Sequence, residues 1–513
     1  MSLSPSGPSR RDLLALIAAL PAARLRAATG KTSGQPYSWE TLKARAAAMA
    51  HHPYVPPPKP APGIAAVDYD ALNSIHYRGD KTLLTGSKDD GGVRCFPITH
   101  FQPTPVGIFV VEDGTARPLH YSPFLFDMPA DSPLGKLGPN GGLSGFRVMN
   151  KAGESDWLAF AGASYFRSSG ALDQYGQSAR GLAIDTGGPL PEEFPSFTDF
   201  WLGRDAQGAL IVDALLQGPR VVGAYHFVNR KTEHGVVQDV EMSLHVRKPI
   251  ARLGIAPLTS MFWYDQSNRD KGVDWRPEIH DSDGLLMLNG QGERIWRPLN
   301  NPPRVMVNSF ADTGAKGFGL MQRDRDFDHY QDDGVFYDKR PTAWIEPKGD
   351  WGVGAVTLVE LPTDSETQDN IVAFWTPAAP VKAGATFDLA YRLRWIAGEP
   401  LPEGPARVID FWRGSAGPPG SAPIPGATKL VIDFLGKALA GLDRSSGVVA
   451  DIDVTRGKAL NRAAYPVVGQ PNRWRLTTDI APDGKEPADI RAILRAKSGE
   501  PLTEVCITQL FPA

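Results

Sequence analysis

The chain has 513 residues, more than one hydrophobic core usually holds, so its length predicts two domains of unequal size. Its net charge is −3 and it has no block of basic residues, which disfavours nucleic acid and anionic membrane surfaces as partners. High counts of Gly (53) and Pro (46) indicate many turns and short strands. Cys95 and Cys506 lie far apart in the sequence and do not indicate a disulfide or metal framework.

The first 29 residues have the pattern of an export signal. Ser9, Arg10 and Arg11 precede the apolar run LLALIAALPAA, and small residues follow near Ala28. The run is too short to span a bilayer, and adjacent arginines are typical of the twin-arginine route. The alternative is a basic start to an ordinary helix. We therefore expect a periplasmic protein whose mature part is not inserted into a membrane.

The mature chain is predicted to begin with a helix and to continue mainly as strands. The segment WETLKARAAAMAH, residues 39–51, has helical composition, and a Pro-rich stretch ends it. The segment YDALNSIHYRGD, residues 69–80, is predicted to form a short helix and then the first strand. From there to about Trp395, short alternating or apolar runs are separated by Gly, Pro, Asn and Asp, with a hairpin expected at Asp113–Gly114. Long helical patterns are missing between these runs. The pattern favours a large antiparallel β-sandwich and an all-β fold class.

A change in composition predicts the domain boundary. Residues 398–405 form a linker rich in Gly, Pro and Glu, which ends a large sandwich spanning residues 30–397. Residues 406–513 contain about seven short predicted strands. That number of strands in about 100 residues is typical of an immunoglobulin-like β-sandwich.

Carboxylates, arginines and tryptophans are densest between Met261 and Trp375, which is the mixture expected of a groove for a sugar polymer. Two acidic clusters stand out, His280–Asp283 and Asp369–Asn370, although either alone is more simply explained by turn chemistry. His280 and Ser282 flank Asp281 and could tune its pKa, or could be structural.

A third acidic run resembles part of a calcium loop. Asp324, Asp326 and Asp328 occupy the first three ligand spacings, but His329 stands where Gly is required, which excludes an EF-hand. A looser calcium site remains an alternative to a strand face that points these acids at a groove or at solvent. Nucleophile-elbow, Walker and H-E-x-x-H motifs are absent from the sequence. We expect no metal and no cofactor.

The chain resembles the periplasmic glucan biosynthesis protein G/D family. The segments that carry the resemblance run from about residue 36 to the end and include GASYFR, QYGQSARGLAIDT, EEFPSFTDFW, IAPLTSMFW, HDSDGL, RPLNNP, GFGLMQRDRDFDHYQDDGVFYDKRP, EPKGDWG and ETQDNIVAFW. The twin-arginine pattern is closer to the D type. The resemblance implies a large sandwich like that of galactose mutarotase followed by the immunoglobulin-like unit, and a role in making osmoregulated periplasmic glucans.

The resemblance also implies an activity and its residues. D-type members are inverting endo-β-1,2-glucanases, with the general base at Asp281, the general acid at Asp369, and Tyr337 in the proton-relay region. Related members are transglycosylases, and a non-catalytic glucan-binding scaffold is a further hypothesis. The expected substrate is a β-1,2-linked glucan, and a homodimer is left open. Candidate sugar contacts are Tyr165, Tyr175, Arg180, Trp275, Arg325 and Tyr330.

Overall fold

A computed structural model describes residues 34–512, so the predicted export signal lies outside the described residues. The α-helices of this part of the chain are Trp39–Ala50, Tyr69–Asn73, Pro133–Leu137 and Phe327–Tyr330. Its 3-10 helices are Ile64–Ala66, Gly79–Lys81, Pro123–Leu125, Gly138–Asn140, Arg269–Lys271, Tyr337–Lys339 and Lys437–Leu439. Within residues 34–512 no helix has the length and hydropathy needed to cross a bilayer.

Strands make up most of the fold. Up to the predicted linker they are β1 (Gln35–Pro36), β2 (His76–Tyr77), β3 (Val93–Pro97), β4 (Gly107–Glu112), β5 (Thr115–Pro118), β6 (Phe126–Asp127), β7 (Leu143–Met149), β8 (Asp156–Ala161), β9 (Tyr165–Ser168), β10 (Ser178–Arg180), β11 (Leu182–Ile184), β12 (Ser196–Arg204), β13 (Leu210–Gln217), β14 (Val221–Thr232), β15 (Gly235–Val246), β16 (Leu253–Ser260), β17 (Phe262–Tyr264), β18 (Ile279–His280), β19 (Gly284–Leu288), β20 (Arg294–Pro298), β21 (Met306–Thr313), β22 (Gly317–Met321), β23 (Thr342–Lys348), β24 (Val353–Glu360), β25 (Ile371–Pro377) and β26 (Thr386–Ile396). After the linker they are β27 (Arg407–Ser415), β28 (Thr428–Leu435), β29 (Val449–Val454), β30 (Gly457–Pro466), β31 (Arg473–Pro482), β32 (Ala488–Arg495) and β33 (Val505–Leu510).

Local sequence signals explain the first elements. Ser38 caps the helix Trp39–Ala50 through a reciprocal pair of bonds with Thr41, and Leu42 is buried on its inner face. The hairpin between β4 and β5 turns at Asp113 and Gly114, whose φ values are 48° and 68°. Two consecutive residues with left-handed backbone form the kind of tight turn whose twist matches that of the two strands. The predicted hairpin at Asp113–Gly114 is therefore confirmed.

Two large sheets pack face to face. One has the strand order β1-β5-β4-β12-β13-β14-β15-β26-β23-β22-β19-β20-β33-β32-β29, and the other β21-β24-β25-β16-β10-β9-β8-β7-β3, with β11 also paired to β16. Nearly all neighbouring strands are antiparallel, so the predicted all-β class and the large antiparallel sandwich are confirmed. Aromatic rings fill the space between the sheets, for example Phe160 of β8 against Phe227 of β14, with centroids 5.2 Å apart at 76°.

The last seven described strands form the second sandwich. One of its sheets has the order β27-β28-β31-β30, and the other is β29-β32-β33. This is the arrangement of a constant-type immunoglobulin domain, which confirms that prediction.

The two sandwiches share a sheet. Strand β33 pairs in parallel with β20, with Ile295 opposite Val505 and Trp296 opposite Cys506. Trp296 and Trp344 also belong to the same buried cluster as Phe434 of the second sandwich. The predicted linker therefore lies beside a continuous hydrophobic junction. Both cysteines are buried and free.

Candidate active site

Asp281 lies just after the short strand β18, on a buried segment. Its backbone N–H donates to the carbonyl oxygen of Met261 at 2.8 Å, and its carboxylate accepts a hydrogen bond from Nη1 of Arg340. The residue is 4% exposed. Burial raises the pKa of Asp281 to about 6, the positive charge of Arg340 opposes this rise, and the negative charge of Asp369 adds to it. Asp281 is therefore mainly ionised at neutral pH.

The neighbours of Asp281 are held by protein groups. His280 is fully buried, with Nδ1 3.1 Å from Oε1 of Gln322 and Nε2 3.1 Å from Oε2 of Glu278. Burial lowers the pKa of His280, but the bond to Glu278 outweighs it and sets the pKa at about 9. Ser282 is bonded to Ser260, with 2.7 Å between the hydroxyl oxygens. These contacts fix the segment on both sides of Asp281.

Asp369 lies in the loop before β25 and is exposed to solvent. Asn370 anchors this loop, because its side chain accepts from the Phe262 N–H at 2.8 Å and donates to the Phe262 carbonyl at 2.9 Å. The surrounding protein removes part of the hydration of Asp369 and raises its pKa, while the charges of Arg180, Arg167 and Arg340 oppose the rise. The charge of Arg340 thus acts on the carboxylates of both Asp281 and Asp369, and the pKa of each is raised.

A second network ties Tyr337 to the Asp369 loop. The Tyr337 hydroxyl donates to Oε2 of Glu366 at 2.5 Å, and Arg276 binds the same carboxylate at 2.8 and 3.0 Å. The bond from Arg276 lowers the pKa of Glu366 and outweighs its partial burial. The Arg340 guanidinium lies 4.2 Å from the centroid of the Tyr337 ring. Tyr337 therefore bridges the surroundings of Asp281 and the loop of Asp369.

Three of the predicted sugar contacts are at least partly exposed, namely Tyr165, Tyr175 and Trp275, whereas Arg180 is only 6% exposed and donates to Glu192 at 2.7 Å. The Arg180 guanidinium is 4.8 Å from the centroid of the half-buried Tyr165 ring. Burial raises the pKa of Tyr165, the charge of Arg180 opposes this rise, and the charge of Asp369 adds to it. Tyr175 is also half-buried, and its hydroxyl donates to Asp156 at 2.5 Å. Trp275 is 67% exposed beside Arg276.

Arg325 is half-buried and Tyr330 is fully buried. The Arg325 guanidinium donates to the carbonyl oxygens of Ala397, Asp338 and Arg340 at 2.7–3.0 Å. Tyr330 is fully buried, and its hydroxyl donates to the carbonyl of Asp324 at 3.1 Å. Both side chains bond to backbone carbonyls and so support the surrounding loops.

The outer face of β8–β10 carries a cleft of about 390 Å³ beside Tyr165. Its wall combines aromatic rings and polar groups, and includes Phe96, Phe101, Gln102, Tyr165, Arg167 and Ser178. Apolar rings with a few hydrogen-bonding groups are typical of a carbohydrate site.

The acidic run 324–328 is folded on itself. Asp326 caps the short helix Phe327–Tyr330, and Asp324 lies 2.6 Å from Nδ1 of His329. Donor atoms of Glu278, Asp324 and His329 lie within 4.8 Å of one another, so these three could share a cation. Each is nevertheless close to a protein partner, and a cation would have to displace the His329–Asp324 bond. The expected absence of a metal stays a prediction.

Several residues of this site were not selected from the sequence. Arg340 and Arg276 are ordinary arginines in the sequence, and their importance arises from carboxylates 59 and 90 positions away. In the sequence Glu366 is one of several acids in its loop, and its importance arises from Arg276 and Tyr337. Arg340 stands in the motif segment DKRP directly after Tyr337, which is a signal that could have identified it.

Comparisons with known proteins agree with the resemblance. A family model described as "periplasmic glucan biosynthesis protein, MdoG" matches residues 37–510. The chain is 44% identical over 493 residues to glucans biosynthesis protein D 2 of Ralstonia nicotianae, covering 93% of this chain and 91% of that protein. It is 43% identical over 496 residues to a probable glucans biosynthesis protein D of Shewanella oneidensis, covering 94% and 91%.

A solved polysaccharide lyase gives a TM-score of 0.23 at 9% identity, with 71% of this chain and 44% of the lyase covered, which is too distant to carry an argument. The sequence comparisons identify the family of this chain, because the family match covers nearly all of the described residues. The chain belongs to the periplasmic glucan biosynthesis protein family.

Proposed function

We propose that this chain is a periplasmic, inverting endo-β-1,2-glucanase that takes part in making osmoregulated periplasmic glucans. Its family and its relatives named glucans biosynthesis protein D support a role in glucan biosynthesis. The observation that carries the enzymatic proposal is that Arg340 binds Asp281 and its charge also acts on Asp369, so that one arginine influences two carboxyl groups of raised pKa. Glycoside hydrolysis by inversion needs two such carboxyl groups with different roles.

Asp369 has the properties of a general acid. It is accessible to a substrate, and the rise in its pKa increases the fraction of its carboxyl groups that carry a proton to donate. In the proposed reaction it gives its proton to the oxygen of the scissile β-1,2 bond. The leaving sugar departs with that proton, and Asp369 is left ionised.

Asp281 has the properties of a general base. Its bond from Arg340 favours the ionised form, so at neutral pH it can accept the proton that the attacking water loses. Because Asp281 is only 4% exposed, we propose that this proton reaches it through a further water or a sugar hydroxyl. The water oxygen bonds to the anomeric carbon from the face opposite the leaving group, which inverts the configuration.

The glucan is proposed to lie along the outer face of β8–β10. Tyr165 can stack on a sugar ring, and the exposed Arg167 can donate to hydroxyls close to Asp369. Arg180 is buried behind them, against the Tyr165 ring and bound to Glu192. The cleft of about 390 Å³ includes Tyr165 and Arg167 and has Phe96 and Phe101 in its wall. Trp275 offers a further exposed ring and directly precedes Arg276 of the Glu366 network in the chain.

The test is to incubate mature protein with linear β-1,2-glucan and to follow the product masses. The account expects short products with new reducing ends, lost in Asp369→Asn and in Asp281→Asn. Asp364→Asn is the matched control, because Asp364 is an exposed acid in the same loop and should leave the products unchanged.

Two other results would replace the proposal. Products of altered linkage without new reducing ends would make the chain a transglycosylase. Binding of the glucan without any reaction would make it a non-catalytic glucan-binding scaffold.

A further inference from the structure

Residues 322–324, which directly follow β22, contact the segment that carries Asp281. On one side, Oε1 of Gln322 lies 3.1 Å from Nδ1 of His280, and Nε2 of Gln322 donates to the His280 carbonyl at 3.2 Å. The same Nε2 lies 3.0 Å from the carbonyl oxygen of Tyr337. Gln322 therefore holds both the residue before Asp281 and the backbone of Tyr337.

The next two residues hold the other side of Asp281. The backbone N–H groups of Arg323 and Asp324 donate to Oδ2 of Asp283 at 2.9 and 2.8 Å. The next residue must be glycine, because a Cβ at Gly284 would lie 2.1 Å from the Trp296 ring. Residues 322–324 thus hold both His280 and Asp283, and Asp281 lies between these two residues in the chain.

The side chain of Arg323 points the opposite way, into the second sandwich. Its guanidinium makes two bonds to Glu504, of 2.6 and 3.2 Å, and a third of 3.1 Å to the carbonyl of Val408. A carboxylate oxygen of Glu399 in the predicted linker lies 2.8 Å from its Nε. The Trp296 ring covers the guanidinium, with its centroid 3.8 Å from Cζ.

We propose that the C-terminal sandwich holds Asp281 in its working position through Arg323, which acts as a positioning residue. The inference rests on the proposed function, because it matters for catalysis only if Asp281 is the base. A two-point bond between a guanidinium and a buried carboxylate fixes direction as well as distance. A displacement at Glu504, which is 3% exposed, would therefore shift Arg323 and the two N–H groups on Asp283.

The experiment compares two matched variants of the full chain. Glu504→Gln removes the charge that faces Arg323 and keeps the size of the side chain. Glu293→Gln is the control, since Glu293 also joins the two sandwiches, through Arg491 at 2.6 Å. Glu293 lies at the turn end of the β19–β20 hairpin, and Asp283 lies beside its other end.

Two readouts separate positioning from simple stabilisation of the junction. With β-1,2-glucan, kcat of Glu504→Gln should fall about 10- to 100-fold, the size of effect that a catalytic group displaced by about 1 Å produces, with KM little changed. The control should keep the wild-type kcat. Carbon NMR of labelled aspartates, with Asp281 assigned from Asp281→Asn, should show the pKa of Asp281 rising in Glu504→Gln alone, because its contact with Arg340 loosens.

An unchanged titration of Asp281 in Glu504→Gln would overturn the proposal, as would equal losses of kcat in both variants. The titration needs no turnover, so it tests the positioning claim even if the wild-type protein does not cleave glucan. Failure of the wild-type protein to cleave glucan would refute the proposed function instead. Should Glu504→Gln fail to fold, Glu399→Gln removes one partner of Arg323 at the junction. The pKa of Asp281 should then rise in Glu399→Gln, by less than is expected from loss of the two bonds to Glu504. An unchanged pKa of Asp281 would overturn the claim.

Discussion

The hydroxyl of Tyr337 donates a hydrogen bond of 2.5 Å to Oε2 of Glu366, in the loop that carries Asp369. The ring of Tyr337 also lies beneath the guanidinium of Arg340, which binds Asp281. One side chain therefore links the surroundings of both carboxylates. This arrangement predicts that small changes at Tyr337 will affect the reaction more than the fold.

Tyr337→Phe should reduce kcat with little loss of stability. The change removes the bond to Glu366 and keeps the ring under Arg340. The bond holds the loop that carries Asp369, so its loss should misplace the proposed acid and lower kcat about 10- to 100-fold. Glu366 is partly exposed and keeps its bonds to Arg276, so the loss of stability should be small. Steady-state kinetics and urea unfolding measure the two effects, and a kcat equal to wild type would show that the bond has no part in the reaction.

The pH dependence should follow the ionisation of Asp281. The proposed base works only when it is ionised, so kcat/KM should fall as the pH drops through its pKa of about 6. Arg340→Leu removes the charge that favours the ionised form, so the pKa rises and the acid limb should move upward by about one unit or more.

Lys339→Leu is the control for charge alone. Lys339 is exposed, and its ammonium lies 4.2 Å from the Phe336 ring centroid. Its removal should leave the acid limb in place. A limb that moves equally in both variants, or in neither, contradicts the role given to Arg340.

Trp275→Ala should weaken substrate binding without slowing the chemical step. Its ring is 67% exposed beside the Arg276–Glu366 network and can stack on a sugar. A loss of about 1 kcal/mol corresponds to a roughly fivefold rise in KM at constant kcat. Phe124→Ala is matched as another exposed aromatic, at 82%, and should change neither constant. A kcat effect in Trp275→Ala would mean that the ring acts on the reacting groups.

The buried pair of Arg297 and Glu360 should dominate stability at the junction. Their exposed fractions are 1% and 0%, with 2.9 Å between Nη2 and Oε2, and Arg297 also reaches Gln509 of β33 at 3.3 Å. Glu360→Gln leaves the charge of Arg297 buried and unbalanced, which should cost about 3–5 kcal/mol in the free energy of unfolding. Urea unfolding measures the cost.

Glu486→Gln breaks an exposed pair with Arg304 and should unfold like wild type. If the two variants unfold alike, the buried pair is not a main support of the junction.

Local patterns were enough to predict the strands and both sandwiches, because alternation and turn residues act over a few positions. The shared sheet could not be predicted this way, since it depends on the pairing of Ile295 with Val505, more than 200 positions away. Contacts of this length are chosen by the packing of the whole fold and leave no periodic signal.

The same limit applies to the candidate site. Asp281, Asp369 and Tyr337 were selected through the family resemblance, and their roles remain predictions. Tyr165 and Tyr330 looked equivalent in the sequence, yet the first is half-buried beside Arg180 and the second is fully buried. Burial decides which aromatic ring can meet a sugar, and burial follows from tertiary packing.

The most direct test of the account is the anomeric configuration of the first product. Proton NMR of linear β-1,2-glucan, recorded immediately after the protein is added, distinguishes α from β reducing ends before they interconvert. The account predicts that the α form appears first, and that Asp369→Asn abolishes its appearance while the glucan still binds. Initial β products, or α products of equal rate from Asp369→Asn, would contradict an inverting reaction carried by Asp281 and Asp369.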